Sequence, residues 1–132
     1  MPESILASAS LYPEGTDQNT GLVLGYASGA VATLQCGSIG DSAQRAAITG
    51  TTGRVELPRQ FWRPEAYTVI HGDDARRTEV PLRGNGMVYE AEEVMRCIRH
   101  GLLESHLVPH IATLEVMQML DQARAQTGVV YD

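Results

Sequence analysis

Lysine is missing altogether from this 132-residue sequence; all ten basic side chains are arginines. Any chemistry that needs a lysine as acid, base or Schiff-base partner is therefore closed to this chain. Cysteine is scarce too. Cys36 and Cys97 stand far apart, outside any C-x-x-C pair and without close His or Cys neighbours. Two free, buried thiols behaving as small hydrophobes are the expectation. No apolar run approaches the ~18 residues of a membrane span. The start Met1-Pro2-Glu3 lacks the basic and apolar stretches of a signal peptide, which makes a cytoplasmic location the expectation. A net charge of -6 argues against nucleic acid or an anionic membrane as the main partner.

What is present describes a folded domain. Apolar residues make up 43% and charged residues 20%, and the length suits a single domain. The first two thirds alternate with a period of two. Residues 4–12, 19–26, 30–40, 44–49, 54–57, 66–71 and 78–82 read as strands, and short local turns between them imply an antiparallel meander. Pro81 makes the last an edge strand at most. The final third changes period. Over 89–100, Ala91, Val94, Met95 and Ile98 form one stripe, with glutamates early and Arg96, Arg99 and His100 late. A second helix over 111–126 ends at Gly128.

The predicted fold class is α+β: an open antiparallel sheet of six to seven strands, then two C-terminal helices packed on one face. Two helices cover one face of such a sheet. The other, carrying Ala, Gly, Ser and Val, is predicted to be buried against a second copy or another domain.

Few side chains suggest chemistry. Gly50-Thr51-Thr52-Gly53 joins two strands and reads as a hairpin turn, since a P-loop needs a lysine and a following helix. Gly84-Asn85-Gly86 precedes a helix, but Tyr89 stands where a dinucleotide fingerprint needs its third glycine. His106 and His110 are separated by Pro109, so a helical metal pair is not expected. Glu90, Glu92 and Glu93 read as a dipole-matched helix start. Phe61-Trp62-Arg63-Pro64 holds the only Phe and the only Trp. It can line a pocket for an apolar or sugar ring, or Trp62 can simply close the core.

Four segments, taken in order, carry a resemblance. They are Ile48-Thr49-Gly50-Thr51-Thr52-Gly53-Arg54-Val55 with Leu57-Pro58; Phe61-Trp62-Arg63-Pro64; the run from Gly86 through Tyr89-Glu90-Ala91-Glu92-Glu93 to Ile98; and Glu104-Ser105 through Pro109, Leu114-Glu115-Val116-Met117 and Leu120-Asp121 to Gly128-Val129. Together the chain resembles the Gfo/Idh/MocA oxidoreductases, in their dimeric dihydrodiol dehydrogenase-like branch and over the C-terminal domain only.

The resemblance implies a two-domain parent in which a Rossmann domain, absent here, binds NAD or NADP. The present domain would supply one sheet face to the substrate and the other to a partner subunit. The implied reaction is hydride transfer between nicotinamide and a hydroxyl carbon of a sugar, polyol or dihydrodiol. The family's Glu-Lys-Pro motif has no counterpart, and the helix bearing its catalytic Tyr or His is absent. No catalytic, cofactor-binding or metal-ligating residue is therefore expected. Phe61, Trp62 and Tyr89 are expected to line the substrate pocket. The parent's partners are expected to be a small-molecule substrate and a second copy held through the open sheet face, and the chain alone is expected to be inactive. A stand-alone dimerising binding or scaffold module is the alternative. A small independent enzyme using Tyr89 or His71 as acid/base is the third possibility, disfavoured by the lack of a compact polar cluster.

Overall fold

The computed structural model describes residues 1–131. Strands β1 (Ser4–Leu11), β2 (Asp17–Gly25) and β3 (Val31–Gly37) form one antiparallel sheet in that order. Strands β4 (Ala46–Thr49), β5 (Arg54–Leu57), β6 (Ala66–His71) and β7 (Asp74–Glu79) form another, also in sequence order. Helices α1 (Val88–Arg99) and α2 (His110–Thr127) follow. Seven antiparallel strands and two helices are the α+β architecture that the periodicity predicts. Their hydrogen bonding is divided into two sheets rather than running through one. The chain also divides into two compact units: residues 1–42 with 106–132, and residues 43–105.

The first unit is the β1–β3 meander with α2. Ile5, Ala7 and Ala9 share a face with Leu22, Leu24 and Ala32 through the cross-strand register. α2 packs against β1, and Ile5, Leu24 and the helix residue Ala123 are buried. β1 is an edge strand, whose outer backbone groups need partners. Gln126 of α2 supplies them. Its Oε1 accepts from the Ala7 N–H at 2.8 Å and its Nε2 donates to the Ile5 carbonyl at 2.8 Å. One carboxamide thus stands in for the peptide group of a further strand. α2 stops at Gly128, whose left-handed φ of 73° lets its N–H reach the Arg124 carbonyl.

The opposite face of this sheet carries Leu6, Val23 and Val31, exposed by 67%, 40% and 68%. Val23 sits mid-sheet, opposite Leu6 on β1 and Thr33 on β3. The alternation placed Val23 on the face opposite Leu22 and Leu24, as found.

The second unit is the β4–β7 meander with α1. Gly50 and Gly53 close the β4–β5 hairpin, with Gly50 N–H donating to the Gly53 carbonyl at 2.8 Å. A Cβ on Gly53 would lie 2.4 Å from the Ile70 carbonyl oxygen of β6, so only glycine fits. β7 differs from expectation. Gly72 and Asp73 alone make the turn, and the strand begins at Asp74 and ends before Val80 and Pro81. A two-residue hairpin fixes the register. The charged stretch Asp74-Ala75-Arg76-Arg77-Thr78-Glu79 has no apolar alternation to reveal it, as befits an edge strand.

Two further expectations are corrected. Cys97 is buried, but Cys36 is exposed, because it lies on β3, the outer strand of its sheet. The α1 stripe holds no core either. Val94, Met95 and Ile98 are 57%, 42% and 71% exposed.

Little apolar surface is buried within the chain. The described hydrophobic core comprises Ile5, Leu24, Ala66, Cys97 and Ala123. The chain exposes 10008 Å², against about 8,200 Å² for two separate compact units of half the length. The excess is therefore a property of each unit's own open faces.

Candidate functional site

The three side chains predicted to line a pocket all fall in the second unit. Phe61 and Trp62 lie on the loop between β5 and β6, after Pro58 ends the ladder. Their rings meet edge to face, with centroids 5.4 Å apart and planes at 78°, a favoured arrangement for two quadrupoles. Both are exposed, Phe61 by 43% and Trp62 by 61%, so Trp62 does not close the core. The loop is anchored by the Phe61 N–H, which donates to the Gln44 carbonyl at 3.1 Å. The two residues involved in that anchorage are strained. Gln44 has φ 52°, and Gln60, just before Phe61, has φ 62°. These are the non-glycine residues with positive φ among the described residues, a conformation that persists where the surroundings impose it.

Tyr89 opens α1 and is held by Arg83. The Arg83 backbone N–H donates to the Tyr89 hydroxyl at 3.1 Å, and the Arg83 guanidinium lies 4.9 Å from the ring centroid. Glu92, one turn along α1, grips the same guanidinium with both carboxylate oxygens, Nη1 donating at 2.7 Å. The hydrogen bond from Arg83 holds the Glu92 carboxyl below its usual range, and Glu92 pushes the Arg83 guanidinium higher. The pair keeps the tyrosine ring in place without using its hydroxyl proton. Arg63, beside Trp62, approaches Gly86 of the turn before α1, so the aromatic loop and the Tyr89 turn are neighbours.

A second cluster fastens the other end of α1. Arg96 donates to Glu93 through Nε at 2.7 Å and Nη2 at 2.8 Å, and the Ser105 hydroxyl donates to Glu93 as well. The Arg96 and Ser105 hydrogen bonds lower the Glu93 carboxyl to about 2. Burial, reinforced by neighbouring Glu93, raises the Cys97 thiol above its ordinary value. A depressed carboxylate and a raised thiol suit neither a general acid near neutral pH nor a thiolate nucleophile. The cluster is a structural clasp.

His71 ends β6 directly opposite Asp74, whose carboxylate accepts from the Arg76 Nε at 3.1 Å. Among the described residues there is no group of three or more His, Cys, Asp or Glu side chains placed to hold a metal. No helix among them is long and apolar enough to cross a membrane.

The residues present do not fit a dinucleotide. Every strand pairing is antiparallel, whereas the dinucleotide fingerprint joins a parallel strand to a helix. The Gly50–Gly53 turn is filled by the Ile70 carbonyl, and the Gly86 turn leads into Tyr89 rather than glycine. No step through a nicotinamide is derived from these side chains.

No protein-family model matches the chain. It is 32% identical over 138 residues to the trans-1,2-dihydrobenzene-1,2-diol dehydrogenase of Xenopus tropicalis, covering 98% of this chain and 41% of that protein. It is 27% identical over 144 residues to the D-xylose 1-dehydrogenase (NADP(+)) of Hypocrea jecorina, covering 97% and 37%. In structure it matches the UDP-N-acetylglucosamine 3-dehydrogenase of Acidithiobacillus ferrooxidans with TM-score 0.81 at 15% identity, over 96% of this chain and 40% of that one. The fold is therefore one shared with part of a sugar-nucleotide dehydrogenase. Over nearly its whole length the chain is similar to part of these dihydrodiol and xylose dehydrogenases. It spans about two fifths of the length of the curated relatives it matches.

Proposed function

We propose that this chain is the substrate-lining and oligomerising part of a cytoplasmic NAD- or NADP-dependent oxidoreductase that acts on a hydroxyl of a sugar, polyol or dihydrodiol. The observation that carries this is the Phe61–Trp62 pair. Two apolar rings are packed edge to face, anchored at Gln44, yet left open, in a chain homologous to dehydrogenases of a xylose and of a dihydrodiol. An exposed aromatic corner offers the C–H face of a sugar, or the ring of a dihydrodiol, an apolar platform. Tyr89, fixed by Arg83 and Glu92, is the third side chain assigned to this substrate surface. These side chains bind and orient. A nicotinamide held by a Rossmann domain outside these 132 residues would supply the hydride chemistry, and the 132 residues alone do not turn over substrate. The apolar face around Val23 joins two copies.

The test is a dehydrogenase assay on the protein as its gene encodes it. Reduced nicotinamide is followed with NAD and with NADP over a panel of sugars, polyols and dihydrodiols. Trp62→Ala is expected to raise KM about tenfold while leaving kcat nearly unchanged, as for lost uniform binding. No nicotinamide reduction with any of these classes, or an unaltered KM in Trp62→Ala, would overturn the assignment. Turnover by the 132 residues alone would show that the catalytic groups lie within them.

A further inference from the structure

Beside the aromatic loop lies a cavity of about 450 Å³ on the β4–β7 sheet, within the usual size range of small-molecule sites. The strand register builds its floor. Ala47 lies opposite Glu56, Glu56 opposite Thr68, and Thr68 opposite Arg77, a single row across four strands. Arg45, Leu57 and Pro58 complete the wall.

The polar groups of this cavity are not neutralised among themselves. The Arg77 Nε donates to Glu79 at 2.7 Å, and its terminal nitrogens retain their donors. The carboxylate of Glu56 is occupied by the Arg54 Nε at 2.6 Å. No hydrogen bond or ion pair is recorded for Arg45. Two guanidiniums with free donors and the Thr68 hydroxyl therefore converge on one space, in a chain whose net charge is -6. Planar guanidiniums match the oxygens of phosphate and carboxylate better than any other ligand chemistry.

The backbone supports this placement. Arg45 directly follows Gln44, one of the two strained non-glycine residues, whose carbonyl holds Phe61. The same strained contact thus sets Arg45 at the cavity and anchors the aromatic pair. Leu57 and Pro58 continue from the cavity into the loop that bears Phe61 and Trp62.

We infer that the Arg45–Thr68–Arg77 cavity is an oxyanion-binding subsite, taking the phosphate or carboxylate group of an anionic sugar or polyol whose carbon skeleton lies toward Phe61 and Trp62. The oxyanion part stands on the cavity alone. The sugar part rests on the functional reading above.

The experiment is calorimetric titration of the purified chain at low salt with inorganic phosphate, D-glucose 6-phosphate, D-glucuronate and D-glucose. Fluorescence of Trp62, the only tryptophan, is recorded in parallel. Saturable millimolar binding of phosphate or glucuronate is expected. Arg45→Gln and Arg77→Gln should each weaken it about tenfold, with circular dichroism unchanged. Arg76→Gln, outside the cavity wall and paired with Asp74, should leave it within about twofold. Absence of saturation with every oxyanion, or equal binding by the double variant of Arg45 and Arg77, would overturn the subsite. Tighter binding of the sugar phosphate than of phosphate, with a change in Trp62 fluorescence, supports the whole inference. Phosphate binding with no gain from the sugar keeps the oxyanion subsite and overturns its sugar part.

Discussion

A charge at Val23 gives the sharpest test of the open sheet face. Val23 lies at the middle of β2, between Leu6 and Thr33, with Val31 nearby on β3. Leu6, Val23 and Val31 are 67%, 40% and 68% exposed. At roughly 1.5–3 kcal/mol for fully burying such a side chain, covering these three on both members of a two-fold pair contributes about 7 kcal/mol. Association itself costs an estimated 4–15 kcal/mol, so this patch supports a dimer only together with its neighbours Ser8, Gly21 and Gln35. Val23→Glu places one carboxylate in each half of the contact. An unpaired buried charge costs several kcal/mol, and 3 kcal/mol is already over a hundredfold in the dissociation constant. Light scattering on the wild type and Val23→Glu, at matched concentrations, reads the result. A wild-type dimer that becomes a folded monomer is expected. A wild-type monomer, or a variant that remains dimeric, would refute the assignment of this face.

Three further outcomes follow from named contacts. Gln126→Ala removes both hydrogen bonds from the free edge of β1; it should lower stability by about 1–3 kcal/mol in urea unfolding and speed exchange of the Ala7 amide. Gly53→Ala drives a methyl against the Ile70 carbonyl and should cost about 1–3 kcal/mol or more, read as a fall in Tm, whereas Gly40→Ala, with open space around it, should be nearly neutral. The Glu93 carboxyl titrates near 4.5 when unfolded and at about 2 in the fold. The unfolded chain therefore takes up the proton first, and this contribution to stability is full above pH 4.5 and lost as pH falls toward 2. Urea midpoints measured from pH 6 to pH 2 should show that loss, and Arg96→Gln should flatten it. An unchanged slope in Arg96→Gln would sink the clasp.

Much of the fold is legible in the residues. β1, β5 and β6 and both helices stand where alternation, turn glycines and the helical stripe place them. Those signals are local, and each acts within a few residues. The charged β7 was missed because an edge strand has no buried face to impress a pattern on its sequence. Cys36 was misjudged because thiol burial depends on where its strand lies in the sheet. The aromatic pair stood out by rarity alone. Arg45 and Arg77 gave no sign, since ordinary surface arginines look the same in sequence.

By itself, then, the sequence determined the element types, the antiparallel pairing and the lack of a lysine-based chemistry. Tertiary structure alone decided that the ladder is divided into two sheets and that Gln126 seals the β1 edge. It also decided that strained Gln44 and Gln60 bring a cavity and an aromatic corner together. The physical reason is range. Periodicity and turn chemistry are written in neighbouring residues, whereas a hydrogen bond from residue 126 to residue 5, or a row of side chains across four strands, depends on register that only the folded chain sets.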